Sequence, residues 1–431
     1  MNFISNYIFI KWSVHLQASI LSNNNYIFRH DNFLGKSLLF ILMYLDIYQY
    51  NNNRLKFGED RRKLFGNTFC SLGRIVTVGY DNVINIIEQP NKRSSYIGRI
   101  KFNINQFPKQ FPLFLDNIEN NNNTHSLYHN LIVKYVILGG AEKRIYDNIS
   151  DKLVNNFINN IRKVTILSDI GKNPIKINGS CFIDFNYNFV EEFLIEWIFY
   201  IFLDIRLSNT TKKKAFKLLA VSINGITNKY LADRISGKND EDLENELIDL
   251  ISKSNILKDY LVPELDKSFS RHKMSKLILS IITVAGFLGL SNTLLACFSI
   301  DIHGKGKFFC KLTKDTDLDN FVLEVIRRFS PVNLVNIKLS KKTNIIIGDK
   351  EYTFEKDNII AYSLLNYSFD PNGPFKNPKE FNIERNSLSK KILNFNSNGL
   401  NNNQLLDNRR CPGRFLANKL IVKILKNFIN Y

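Results

Sequence analysis

The sequence is poor in cysteine, and its cysteines are not paired. There are five in 431 residues. They stand at Cys70, Cys181, Cys297, Cys310 and Cys411, and no two of them form a CxxC motif. An odd number at wide spacing favours neither a disulfide framework nor a zinc site. This cysteine usage indicates a reducing, intracellular compartment.

Long hydrophobic runs are also missing. The strongest candidate, Leu38–Ile47, is too short to span a bilayer, and Asp46 interrupts it. Residues 1–56 are interpreted as an N-terminal segment of uncertain role, which could rest on a membrane surface or act as a weak targeting signal. No repeat or Pro-rich hinge divides the rest, so residues 57–431 are predicted to form one domain. The expected location is cytoplasmic or peripheral to a membrane.

Acidic residues are fewer than basic ones. The chain has 40 Asp and Glu against 58 Lys and Arg, a formal net charge of +18 at pH 7. Such a surface attracts nucleic acid, anionic lipid or an acidic protein. The basic residues occur in short clusters such as Lys212–Lys214, and no zinc-finger spacing accompanies them, so a nucleic-acid partner is not favoured.

Helical spacing of apolar residues predominates, and it predicts a mostly α fold with a smaller β-rich lobe. Met274–Cys297 is predicted as a long apolar helix that contains Gly286 and Gly289. Asp317–Phe329 is predicted as a second helix with Thr316 as its N-cap. Strands are predicted within Asn67–Tyr80, around a Gly73-Arg74 turn, and at Asn344–Ile347 and Tyr352–Phe354.

Three segments occur in an order typical of one family. The first is Glu324-Val-Ile-Arg327, whose two charges share a helix face. The second is a Pro- and Gly-rich coil that ends at Arg385, and the third is Asn408-Arg-Arg-Cys411-Pro-Gly-Arg-Phe. In this order and spacing they resemble the cytochrome P-450 superfamily of haem-thiolate proteins.

The resemblance implies a fold, a cofactor and site residues. It implies a P-450-like fold with haem b between the long central helix and the Cys loop. Cys411 would be the axial ligand of the iron, and a helix N-terminus with nearby Arg would lower the pKa of its thiol. The remaining implied residues are a buried triad of Glu324, Arg327 and Arg385, and haem-propionate contacts from Arg409, His125 and His129.

The departures from the usual motif indicate which branch of the family, and therefore which class of reaction, the sequence resembles. Asn398-Gly399, a polar insertion and the Asn–Arg–Arg–Cys ending resemble the allene oxide synthase and hydroperoxide lyase branch. In the helix predicted at Met274–Cys297, here called the pocket helix, Leu288 and Gly289 stand where oxygen-activating members place an acid and a Thr. Phe287 and Gly289 match the branch, whereas its Asn is replaced by Ala285, beside Gly286. The C-terminus after Cys411 is expected to be shorter than usual.

Three functions stay open at this point. The favoured one is rearrangement or cleavage of a lipophilic fatty-acid hydroperoxide, which needs no reductase because the substrate brings its own O–O bond. The second is a monooxygenase that takes electrons from an acidic redox partner. The third is an inactive or haem-free relative that acts as a binding scaffold.

Overall fold

Helices dominate the computed structural model, which describes residues 3–22, 32–88, 93–95, 129–167, 176–177, 181–182, 187–215, 240–258, 271–298, 316–339, 341–356, 358–395 and 411–430. The helices are α1 (Phe3–Leu21), α2 (Phe33–Asn52), α3 (Arg54–Phe65), α4 (Tyr80–Glu88), α5 (Glu142–Ile145), α6 (Asn148–Leu167), α7 (Tyr187–Leu203), α8 (Asp240–Ser252), α9 (Asn255–Lys258), α10 (Arg271–Ile281), α11 (Leu288–Phe298), α12 (Leu318–Phe329), α13 (Leu388–Lys391) and α14 (Arg414–Asn430). Two π-helical segments are Val133–Ala141, before α5, and Ile282–Phe287, between α10 and α11. The predicted long apolar helix is therefore present, with an interrupted hydrogen-bond ladder in its middle.

The strands form a smaller lobe. They are β1 (Thr68–Ser71), β2 (Arg74–Thr77), β3 (Arg93–Ser95), β4 (Lys176–Ile177), β5 (Cys181–Phe182), β6 (Leu334–Leu339), β7 (Thr343–Ile347), β8 (Lys350–Phe354) and β9 (Ile359–Ser363). Five of them make one sheet in the order β1-β2-β9-β6-β3, in which the β2–β9 pair is parallel and the other pairs are antiparallel. Strands β7 and β8, which were both predicted, pair with each other in a separate hairpin, and β4 pairs with β5.

The β1–β2 hairpin turns at Leu72 and Gly73, one residue earlier than predicted, because Arg74 already pairs within β2. Both turn residues have positive φ, 56° and 66°, as a two-residue hairpin turn with the twist of the strands requires. Buried side chains hold this turn. Asp46 Oδ2 accepts from the backbone N–H of Leu72 at 2.8 Å, and Gln17 Oε1 accepts from that of Gly73 at 2.9 Å.

A buried ion pair attaches the first three helices to this lobe. Arg61 on α3 donates to Asp46 Oδ1 on α2 at 2.8 Å and to Ser71 Oγ on β1 at 2.7 Å, and the side chains of Arg61 and Asp46 are almost inaccessible. Gln17 on α1 donates to the second oxygen of Asp46 at 2.8 Å. The network joins residues on both sides of the predicted boundary at residue 56, and the boundary itself stays a prediction.

The helical core surrounds α12. This helix packs against α11 and α14, and every residue from 321 to 327 is buried. Its N-cap is Asp317, whose carboxylate accepts from the backbone N–H of Asn320 at 3.0 Å; Thr316, the predicted cap, lies one residue too early. Among the described residues, no helix is long and apolar enough to cross a membrane.

Candidate functional site

The three charges of the predicted triad lie together inside the helical core. Glu324 and Arg327 are one turn apart on α12, and both have no exposed surface. Arg327 forms a two-pronged pair with Glu324, at 2.6 Å from Nε to Oε2 and 2.8 Å from Nη2 to Oε1. Arg385 donates from Nε to Oε1 of the same carboxylate at 3.1 Å. A planar guanidinium suits this paired geometry, which a lysine cannot reproduce.

The two arginines also hold the coil that leads to Arg385. Arg327 donates to the backbone oxygens of Ser368, Pro378 and Glu380, at 3.1, 3.0 and 3.1 Å. Arg385 donates to the backbone oxygens of Lys376, Asn377 and Glu380. An irregular coil has few backbone partners of its own, so these charged side chains satisfy its carbonyl groups and fix its path.

A second buried network joins α12 to the chain beside the cysteine. Tyr367 donates its hydroxyl proton to Asn394 Oδ1, and the same hydroxyl accepts from the backbone N–H of Leu393 at 2.7 Å. Asn394 donates through its amide nitrogen to Ile326 O, Ser330 Oγ and Leu364 O, at 3.2, 2.7 and 2.9 Å. The next residue, Phe395, accepts from the backbone N–H of Cys411 at 3.0 Å. Sequence reasoning missed Asn394 and Tyr367, since neither stands in a motif.

We expect Asn394→Ala to destabilise the protein by about 1–3 kcal/mol, because it leaves buried oxygens of α12 and its neighbours without a donor. Asn358→Ala is the matched control. Its amide also donates to a backbone oxygen, that of Glu355 at 3.2 Å, but at the surface. Urea unfolding with linear extrapolation compares the two. Equal losses in both variants would show that the Asn394 network adds nothing beyond an ordinary surface contact.

Cys411 stands at the entrance of α14 and is half-buried. Arg414, on the first turn of α14, donates from Nη1 to the backbone oxygen of Cys411 at 2.8 Å. Burial raises the pKa of the Cys411 thiol, and the backbone N–H of Gly413 and the Arg414 guanidinium lower it only in part. The helix N-terminus and the Arg414 guanidinium thus act on the thiol pKa in the predicted direction and burial opposes them, while the lowered pKa expected for an iron ligand stays a prediction.

The two glycines of the pocket helix differ in how closely other atoms approach them. Ala285, Gly286 and Phe287 lie in the π-helical segment, and Gly289 lies in the first turn of α11. A side-chain carbon on Gly286 would meet the backbone oxygen of Ile281 at 3.6 Å. Among the described residues, one on Gly289 would meet nothing within 4 Å, and the same holds for Gly413 beside Cys411. Phe287 is buried.

The predicted propionate contacts are only partly described. His129 is buried. It begins the helical residues 129–132 that lead into the Val133–Ala141 segment. His125 and Arg409 lie outside the described residues, so their prediction is not tested.

Two cavities lie elsewhere, between α1 and the β7–β8 hairpin. They measure about 430 and 510 Å³ and share Lys11 and His15 as lining residues. Burial and the nearby Lys350 ammonium lower the pKa of His15. No residue predicted for the site lines either cavity.

The sequence matches no protein-family model and no curated protein. The structure, however, is similar to solved cytochromes P450. Substrate-free CYP150A6 of Mycobacterium marinum has 13% identity and a TM-score of 0.58, over 89% of this chain and 87% of that one. Substrate-free CYP109E1 from Bacillus megaterium has 13% identity and a TM-score of 0.57, over 88% and 90%. P450BioI in complex with acyl carrier protein ligated to hexadec-9Z-enoic acid has 14% identity and a TM-score of 0.58, over 89% and 92%.

At such low sequence identity, the structural similarity establishes the fold alone. The chain has the cytochrome P450 fold, mostly helical with a small sheet region, and the fold prediction is confirmed. The resemblance to the allene oxide synthase branch is not decided by these comparisons.

Proposed function

We propose that the protein is a haem-thiolate enzyme of the cytochrome P450 type, with haem b bound between the pocket helix and Cys411. The observation that carries the proposal is Cys411, a half-buried thiol at a helix entrance within a cytochrome P450 fold. The described residues leave room beside Gly289 and Gly413, which fits a flat cofactor because neither glycine carries a side chain. A metal ion that binds a thiol deprotonates it, so the burial of the Cys411 thiol does not oppose ligation.

In this proposal the predicted site residues have separate roles in binding haem and in holding the coil before Cys411. Cys411 would ligate the iron, and Arg409, His129 and His125 would contact the propionates. The triad of Glu324, Arg327 and Arg385 would keep the neighbouring coil in place through its buried charges. When bound, haem would supply the iron that cleaves an O–O bond, and the protein would tune it through the axial thiolate.

The favoured reaction is rearrangement or cleavage of a fatty-acid hydroperoxide without a reductase. The pocket helix carries Leu288 and Gly289 at the positions of the acid and the Thr, and neither side chain can relay a proton. A hydroperoxide needs no such relay and no external electrons, because it brings its O–O bond. A protein of similar fold binds an acyl carrier protein that bears hexadec-9Z-enoic acid, which supports a lipophilic acyl substrate. Ala285, in place of the branch's Asn, leaves the product open.

A dioxygen-dependent monooxygenase is the second candidate. The formal net charge of +18 favours it, because a basic surface attracts an acidic electron-transfer partner. The missing proton relay counts against it.

Two measurements on the purified protein test the proposal in sequence. The first is the absorption spectrum of the dithionite-reduced protein with and without carbon monoxide, where a strongly red-shifted Soret band is expected. The second is turnover of a polyunsaturated fatty-acid hydroperoxide without oxygen or reductase, where rapid consumption is expected. Turnover that requires both oxygen and an electron donor would support the monooxygenase instead. Absence of a haem band after reconstitution would contradict both candidates.

A further inference from the structure

Helix α2 presents an apolar face to solvent. Its side chains that are more than half exposed and apolar or aromatic are Phe33, Leu34, Phe40, Ile41, Tyr44 and Tyr48, here called the outer face of α2. Phe33, Tyr44 and Phe40 are 82%, 68% and 67% exposed. The outer-face residues recur at helical spacing on the side opposite the buried Asp46. A solvent-facing helix surface normally carries charged residues, so this face requires an explanation.

The inner side of α2 is already occupied. Leu39 and Leu42 are buried against the β lobe, and Asp46 is paired with Arg61. The helix is therefore apolar on both sides while packing on only one of them. A helix that is apolar all round is normally buried in protein or in lipid. The inner side of α2 is buried in protein. This leaves lipid as the surroundings that suit the outer face.

The charges on α1 and α2 suit an anionic surface. The sequences of α1 and α2 contain a single acidic residue, Asp46, which is buried. Their basic residues, Lys11 and Lys36, are both exposed. Helix α1 also exposes Trp12 beside Lys11, at 53%. Tyr and Trp are enriched at the boundary between membrane and water, and lysines strengthen attachment to anionic lipid.

A second copy of the chain suits the face less well. A symmetric dimer would place the same surface on both sides, so each lysine would meet a basic surface. Anionic lipid offers the opposite charge.

We propose that the outer face of α2 rests in the headgroup region of an anionic membrane, with α2 parallel to the surface. The helix lies on the bilayer and does not cross it, in agreement with the absence of a membrane-spanning helix among the described residues. This attachment uses surface residues only and is independent of haem binding.

Co-sedimentation of the full chain with vesicles tests the proposal. Wild type should bind vesicles of phosphatidylcholine and phosphatidylglycerol, and should bind pure phosphatidylcholine more weakly. The triple variant Phe40→Ser, Ile41→Ser, Tyr44→Ser should partition more than about tenfold less, because three apolar side chains no longer enter the lipid. Lys36→Gln should lower binding to anionic vesicles about fivefold, and added salt should reduce that difference.

A matched control separates this face from general stickiness. Leu138→Ser and Ile346→Ser remove side chains of similar exposure, 65% and 67%, from other elements, and should bind vesicles like wild type. Circular dichroism confirms that each variant is folded. Equal vesicle binding by wild type and the folded triple variant would overturn the proposal. So would a sedimentation experiment without lipid in which wild type is a dimer and the triple variant a monomer, if vesicle binding is unchanged.

Discussion

Arg327→Met is expected to destabilise the protein by about 3–5 kcal/mol, which is the cost of removing one partner of a buried ion pair. The reason is that Glu324 keeps its charge at full burial while losing both hydrogen bonds from Arg327. In the same step the backbone oxygens of Ser368 and Pro378 lose the hydrogen bonds from Arg327, while that of Glu380 keeps the one from Arg385. Urea unfolding monitored by circular dichroism measures the change as a lower midpoint at constant slope.

The neighbouring Arg328→Met is the matched control. Arg328 is on the same helix and is only half-buried, with its guanidinium donating to the backbone oxygen of Lys379. Its replacement should cost about 1 kcal/mol, the net value of one hydrogen bond. Equal losses for Arg327→Met and Arg328→Met would contradict the role of the buried pair.

A second substitution identifies the source of the cost. After Arg327→Met, Glu324 keeps only its hydrogen bonds from Arg385 and from the backbone N–H of Asn382. Adding Glu324→Gln removes this under-compensated buried charge, and should restore part of the lost stability. If the double variant is no more stable than Arg327→Met alone, lost packing rather than the under-compensated charge of Glu324 explains the effect.

The triad could be predicted from one local pattern together with a family resemblance. Glu324 and Arg327 are three residues apart, and helical periodicity alone places them on one face. Arg385, 61 positions from Glu324, required the resemblance to a known family. The strands β7 and β8 and the long helix around Gly286 were likewise predicted from local patterns, although the pairing of the two strands was not.

The networks that were missed connect residues with no local relation. Asp46 interrupts an apolar stretch in the sequence, and only the structure shows that it binds Arg61, Gln17 and the turn at Leu72. Asn394 and its contacts are a similar case. Periodicity reports which face of an element is buried, but it does not report which partner satisfies a buried polar group.

The surroundings of the Cys411 thiol could be predicted only in part. A helix N-terminus and a nearby arginine are visible in the sequence, and both lower the pKa of Cys411. The degree of burial is not visible, and it is the largest contribution in the structure.

The ligand assignment predicts the largest functional effect. Cys411→Ser should abolish the red-shifted Soret band of the reduced carbon monoxide complex, because a serine oxygen does not donate electron density as a thiolate does. Turnover should fall by more than about 100-fold, since losing even an outer-shell partner of a metal ligand costs about 10- to 100-fold. Absorption spectra and turnover are measured on the same preparation, with haem content determined separately.

Cys70→Ala is the matched control for this substitution. Cys70 is fully buried in β1, on the other lobe of the protein, and burial raises the pKa of its thiol well above the ordinary value, so it is an inert packing residue. The Cys70→Ala variant should keep the spectrum and the turnover of wild type, with at most a small loss of stability. If Cys411→Ser keeps the red-shifted band while Cys70→Ala loses it, the ligand is Cys70. If both variants keep it, neither cysteine binds the iron, and the proposed site is wrong.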